Sequence, residues 1–235
     1  MMRIKAQTIR DDSQSTSPPL LSIIIPALNE ANPLSKAIRS AQQCPNVQII
    51  VADGGCTDNT LEIAQAHDAQ VVHSPPGRGI QQRAGAELAK ADVLLFLHAD
   101  TCLPLDYDKH IHPILEMPQT VAGAFRLAFD HASFSLRLIA WGANMRSRLR
   151  NLPYGDQAIF LTRKTYDHIG GIKPIAIMED YDFIQRLRLQ GRIRIASKAV
   201  ITSPRKYINQ GHWQTVLKHQ QMIHAWQASD SNNAI

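Results

Sequence analysis

The chain has little cysteine: only Cys44, Cys56 and Cys102, with no C-x-x-C pair. An odd count at such spacing excludes a disulfide framework and a zinc-ribbon layout, and it fits a reducing compartment. Long apolar runs are missing too. No stretch approaches the roughly 18 uninterrupted apolar residues of a membrane span. The leading "MMRIKAQTIRDDSQSTSPP" lacks the apolar core of a secretory signal. The expectation is a cytoplasmic, soluble protein, at most peripheral to the inner face of a membrane. Phosphate-binding glycine loops are also absent. Where a dinucleotide fold or a P-loop would carry its glycines, after the first strand, this chain has "PALNE" (26–30). No nucleic-acid recognition motif occurs, so no nucleic-acid partner is expected.

The 235 residues, 44% hydrophobic and 19% charged, suffice for one globular domain with a substantial core. Residues 1–19 read as a flexible polar segment, and 20–235 as a single domain. Strand-like runs at 20–26, 47–53, 69–74 and 92–98 alternate with helical patterns at 32–43, 57–67 and 79–91. This spacing predicts βαβ units, hence an α/β fold with a mostly parallel sheet and helices on both faces. The second half is less regular. Strands are expected at 120–129, 156–163 and 192–201, and helices at 133–150, 179–191 and from about His212.

Ligands of an open parallel sheet bind beyond the carboxyl ends of its strands. Here those ends carry Pro26, Asn29 and Glu30; Asp53 and Gly54; "SPPGRG" with Arg78; and His98-Ala99-Asp100. Asp53 is either a hydrogen-bond acceptor for a base or the acid of a glycine turn. Asp58 falls in the expected first turn of the second helix, where acids are favoured regardless of function. Asp180 precedes Phe183 and Ile184 by three and four residues and shares their inward face.

The segments "IIIPALNE" (23–30), "VADGGCTDNT" (51–60), "DVLLFLHADT" (92–101), "YGDQAIF" (154–160) and "MEDYDF" (178–183) stand in an order that resembles family 2 glycosyltransferases of the GT-A fold. Residues 77–100 look closest to a bacterial branch of small soluble members, some associated with arsenosugar biosynthesis. The resemblance implies a nucleotide-binding half over 20–101 and an acceptor half, with a C-terminal helix, over 102–235. It further implies an inverting transfer from a nucleoside-diphosphate sugar, UDP-linked by preference, to an acceptor hydroxyl of open identity. Pro26, Asn29, Glu30, Asp53, Gly54, Arg78 and Asp100 would line the nucleotide. Asp100 would hold Mn²⁺ or Mg²⁺, with His98 in the place of the family's first aspartate, where a nitrogen ligand favours Mn²⁺. Asp180 would be the base, with Glu179 its stand-in, and Asp156 and Gln157 would face the acceptor. Arg205 or His212 could reach the diphosphate. A non-catalytic nucleotide-sugar-binding protein on the same fold is the alternative.

Net charge is +5, with arginines crowded at 137–150 and 186–194. The first cluster lies on a helix with Phe134, Leu136, Ile139 and Trp141. That stripe reads as core-facing by preference, with cover of the acceptor cleft or contact with a membrane surface as alternatives.

Overall fold

A computed structural model describes residues 20–131, 133–175 and 177–232. The side chains of 210, 212, 213, 219, 224 and 227–232 are outside that description, and the expectations for 1–19 and the His212 side chain therefore lie outside it too. Eight strands form one sheet in the order β3-β2-β1-β4-β7-β6-β8-β5. The first four are β1 (Leu21–Ala27), β2 (Val47–Asp53), β3 (Gln70–His73) and β4 (Val93–Phe96). They are parallel, linked by α1 (Ala31–Ala41), α2 (Thr60–Ala66) and α3 (Arg78–Leu88). The second half adds β5 (Thr101–Cys102), β6 (Thr120–Phe129), β7 (Ile159–Thr162) and β8 (Arg192–Thr202). There β7 runs antiparallel to β4 and β6, β8 pairs parallel with β6, and β5 antiparallel with β8.

Period-two alternation assigns each face its helices. Leu21, Ile23, Ile25, Val51, Leu95 and Leu97 pack with Leu34, Ile38 and Ala41 of α1 and with Ile111 and Ile114 of α4 (Asp108–Leu115). Ile24, Leu94 and Phe96 face the other way. They meet Ala86 of α3, Tyr166 of α6 (Arg163–His168), and Phe183, Ile184 and Leu187 of α7 (Glu179–Gln190). Pro26 is buried inside a central strand without disrupting it. Its side of β1 faces β4, whose ladder has already ended at the Ile24–Phe96 pair. Pro26 has no N–H with which to extend that ladder beyond the Leu97 N–H to Ile24 carbonyl bond.

Several boundaries move for visible reasons. The second helix begins at Thr60 rather than Thr57, because Asp58 stays outside it. Its Oδ1 accepts from the Thr60 N–H at 3.1 Å and from the Thr60 hydroxyl, and its Oδ2 from the Ala31 N–H at 3.2 Å, so one acid serves two helix starts. The strand expected from 156 begins at Ile159, since Gly155–Gln157 form a 3₁₀ turn and Ala158 has φ 47°. Helices α4, α6 and α8 (Arg205–Gln210) have no counterpart in the sequence reading, whereas α9 (His212–Asn232) does. The core-facing expectation for α5 (Phe134–Arg150) is corrected. Leu136 is buried, but Phe134 is 83% and Trp141 61% exposed.

Candidate functional site

The expected strand-end residues gather at one edge of the sheet. Two loops there are tied to each other before any ligand is considered. The Gly54 N–H donates to the Ala27 carbonyl at 3.0 Å, and the Glu30 N–H to the Thr60 hydroxyl at 2.8 Å. Asn29, at φ 56°, accepts from the Thr57 N–H at 2.8 Å. Gln81 of α3 is buried beneath them and donates to the Ala27 and Ala52 carbonyls at 2.7 and 2.8 Å. A Cβ on Gly54 would stand 3.0 Å from the Gln81 amide, so packing alone accounts for glycine at this position.

Asp53 is 4% exposed and organises its own turn. Its Oδ1 accepts from the Gly55 and Cys56 N–H groups at 3.0 and 2.8 Å, and its Oδ2 lies 2.9 Å from His73 Nδ1. Burial pushes this carboxyl up, but the donors from Cys56, His73 and Gly55 outweigh it and bring the pKa down to about 2. Both of its readings stay physically open, with the turn role visible.

After β4 the chain turns at His98-Ala99-Asp100 and re-enters the sheet as β5. The Thr101 N–H bonds to the His98 carbonyl at 3.1 Å, and the Ser203 N–H to the Asp100 carbonyl at 3.1 Å. The strand thus stops at a turn clamped on both sides, which fixes both side chains. His98 Nε2 is buried without a hydrogen-bond partner among the described residues. Burial lowers its pKa to about 3, with Arg78 and Lys206 adding to the effect and Asp180 opposing it, so the ring is neutral. Asp100 is raised by burial, which Arg205 partly offsets.

Opposite this turn, the 3₁₀ segment brings Gly155 against both sides of the site. A Cβ there would lie 3.0 Å from His98 Nε2 and 3.2 Å from Asp180 Oδ2. The Gly155 N–H donates to that same Asp180 oxygen at 3.2 Å. Asp156, next along, has a buried Oδ1 with no partner among the described residues. Burial pushes its carboxyl up to about 6, with Arg146 pulling down and Asp180 pushing further up. Arg78 reaches in from the start of α3. Its Nε bonds to Glu179 Oε1, and its Nη2 is 3.9 Å from Asp180 Oδ2.

Two of the expected site residues are buried and engaged by the fold. Glu179 is 1% exposed and its carboxylate engages Arg78. Gln157 is fully buried and its amide is engaged. It accepts from the Ser147 hydroxyl at 2.7 Å and the Tyr154 N–H at 3.2 Å, and donates to the Phe125 carbonyl at 2.9 Å. Asp180, with a side chain 21% exposed, is the accessible carboxylate of the Glu-Asp pair.

Basic side chains from the C-terminal segment and from α5 complete this edge. Arg205 Nη2 meets Glu30 at 3.0 and 2.7 Å and stands 3.8 Å from Asp100 Oδ2, linking both halves across the edge. Lys206 is lowered by burial and by Arg78, which places its ammonium in the same electrostatic field. Arg146 stacks 3.5 Å over the Tyr154 ring. Lys206 and Arg146 were not singled out for the site: Lys206 stands in the "RKY" run at 205–207, and Arg146 in the arginine cluster on α5.

The donor set can be tested against the divalent ion that the resemblance implies. Among the described residues no three His, Cys, Asp or Glu side chains converge as a ready metal cage. Yet the turn after β4 offers an unpartnered, neutral imidazole nitrogen of His98 and, two residues on, the Asp100 carboxylate. Oxygen ligands with one imidazole and room for phosphate suit Mn²⁺ or Mg²⁺. The residues fit a cation whose coordination a bound diphosphate completes.

Comparison with known proteins gives the family and the fold. The family model "Glycosyl transferase family 2" matches residues 22–174. The chain is 36% identical over 94 residues to the PGL/p-HBAD biosynthesis glycosyltransferase of Mycobacterium bovis (strain BCG / Pasteur 1173P2), covering 36% of this chain and 37% of that protein. It is 32% identical over 140 residues to the succinoglycan biosynthesis protein ExoA of Rhizobium meliloti (strain 1021), covering 55% and 42%. The chain thus spans well under half the length of these curated relatives. Among solved structures it resembles glucosyl-3-phosphoglycerate synthase from Mycobacterium tuberculosis in complex with Mn²⁺, uridine diphosphate and glucosyl-3-phosphoglycerate. The TM-score is 0.56 at 21% identity, over 78% of this chain and 72% of that one. The mannosyltransferase PcManGT from Pyrobaculum calidifontis, in complex with GDP-Man and Mn²⁺, gives 0.63 at 14% identity over 80% and 58%. The fold is GT-A.

Proposed function

Because the chain belongs to glycosyl transferase family 2, we propose that it moves a sugar from a nucleoside-diphosphate donor, UDP-linked, to an acceptor hydroxyl with inversion at the anomeric carbon. The observation that carries this reading is the meeting of Asp180, His98 and Arg78 around Gly155, beside Asp100, at the carboxyl edge of the sheet.

The loops 26–30 and 53–56 form the wall for the nucleoside, with the tied Asn29 and Asp53 turns keeping that wall rigid. Asp100 and His98 would hold a divalent cation, Mn²⁺ or Mg²⁺. When bound, it supplies Lewis-acid neutralisation of the charge that grows on the departing diphosphate. Arg78, Lys206 and Arg205 surround the same space and add fixed positive charge. Asp180 takes the proton from the acceptor hydroxyl as that oxygen attacks the anomeric carbon. The bond to the diphosphate oxygen breaks, and its electron pair leaves with the nucleotide. The Gly155 N–H holds the Asp180 oxygen in place for this step. Asp156 stands beside it, its carboxyl pushed up to about 6 by burial.

The test separates binding from chemistry. Asp180→Asn should bind UDP with metal as the parent protein does, yet hydrolyse or transfer donor sugar at a rate lower by roughly 10² to 10⁴. Unchanged turnover in Asp180→Asn removes Asp180 as the base. Metal-dependent binding with no turnover in the parent protein favours the non-catalytic alternative.

A further inference from the structure

Helix α5 spans 17 residues and leaves one of its faces uncovered. Phe134, Leu138, Trp141 and Leu149 are 83%, 41%, 61% and 75% exposed. Their spacing of four, seven and fifteen residues from Phe134 gathers them on one side of a helix. Arg137 and Arg148 are exposed along and beside that stripe. The helix contains no acid, and the stretch 126–150 has five arginines against Asp130 alone. Between this helix and β6 opens a cavity of about 540 Å³, lined by Arg126, Arg137, Arg148, Trp141 and Phe129 among others.

The opposite side of the helix is committed. Leu136, Ala140, Ala143 and Ser147 are buried against the domain, and Asn144 bonds to both backbone groups of Leu127 at 2.8 and 3.0 Å. The exposed side is therefore held rigidly outward. By contrast, arginines of the 186–194 cluster are tied into the fold. Arg186 bonds to Asp182 and to the Ile169 and Gly171 carbonyls at 2.7 Å, and Arg194 to Thr120 at 2.8 Å.

We propose that this face of α5 docks the protein on an anionic lipid surface. Aromatic and leucine side chains beside arginines, without acids, match a helix lying in the interface of a bilayer. The apolar tips enter the acyl boundary, while the guanidinium groups meet lipid phosphates and the arginine stems cover apolar area. The open cavity gives a headgroup phosphate three arginines at once. A second copy is a poor occupant, because a two-fold contact would set this basic face against itself.

The experiment is flotation of the full chain with phosphatidylcholine vesicles, with and without phosphatidylglycerol. The chain should float only with the anionic vesicles, and less as salt rises. Two double variants probe the face: Leu138→Ser with Trp141→Ser, and Arg137→Gln with Arg148→Gln. Each should weaken binding roughly tenfold or more, with an unchanged thermal melt because these side chains are exposed. Parent protein that stays at the bottom of the gradient overturns the proposal, as do variants that float like the parent. A concentration-dependent dimer that the Leu138→Ser, Trp141→Ser pair abolishes, without vesicle binding, would assign the face to self-association instead.

Discussion

Asp156→Asn should make the protein more stable at neutral pH while impairing it as an enzyme. The Asp156 carboxyl is pushed from 3.8 to about 6, so its ionised form is disfavoured by about two pH units' worth of free energy, on the order of 3 kcal/mol. Some of this is returned because an asparagine amide also needs partners that the buried Oδ1 position does not supply. A net gain of about 2 kcal/mol then corresponds to a melting temperature higher by roughly 4–8 °C for a chain of this size. The sign with pH follows from a folded-state value above the unfolded one. Below about pH 4 the group is protonated in both states and costs nothing. Between about 4 and 6 the unfolded chain releases its proton first, and the cost grows. Above about 6 it is fully present, so the advantage of the variant should rise across that window and then level off. Thermal melts of both proteins followed by circular dichroism from acid to neutral pH measure it. Equal melting temperatures at pH 7, or a variant less stable than its parent, would refute the argument that this carboxylate is held at a cost.

The opposite sign applies to Asp53, which is held down to about 2 by its turn donors. Asp53→Asn should lose on the order of 2–3 kcal/mol at neutral pH. That difference should fade as pH falls through about 4 towards 2, checked by urea unfolding at several pH values. Gly155→Ala puts a methyl group 3.0 Å from His98 Nε2 and 3.2 Å from Asp180 Oδ2. It should cut donor turnover at least roughly 10²-fold, the cost of a misplacement of about 1 Å. The native circular dichroism spectrum should persist, so loss of the fold, or unimpaired turnover, would count against the site geometry.

The first half of the fold was legible because strand and helix patterns alternate there with short connections. β2 matches its expected ends, and β1, β3 and β4 lie within a few residues of theirs. The second half resisted because its elements interrupt one another. Ala158 takes a left-handed φ without a glycine to announce it, and Pro113 sits inside α4. The motif residues gathered as their positions after the strands required, but their roles divided along burial. Glu179 and Asp180 are adjacent in sequence, yet one is 1% exposed against Arg78 and the other opens toward the site. Helix periodicity assigns a face, not which of two neighbouring acids finds a buried partner. The link from Glu30 to Arg205 spans 175 positions, and only folding brings the two together. Likewise, the apolar stripe of α5 suggested a core contact, because a sequence does not say whether a partner surface exists on that side.

The central claim is that His98 and Asp100 mark a cation-assisted diphosphate site. Calorimetric titration with UDP, in Mn²⁺ and in chelator, tests it most directly on the parent protein and on Asp100→Ala. The account predicts UDP binding by the parent that depends on Mn²⁺ and is lost in Asp100→Ala. UDP binding of equal strength with metal, with chelator and in the variant would contradict it, leaving His98-Ala99-Asp100 as the turn that joins β4 to β5.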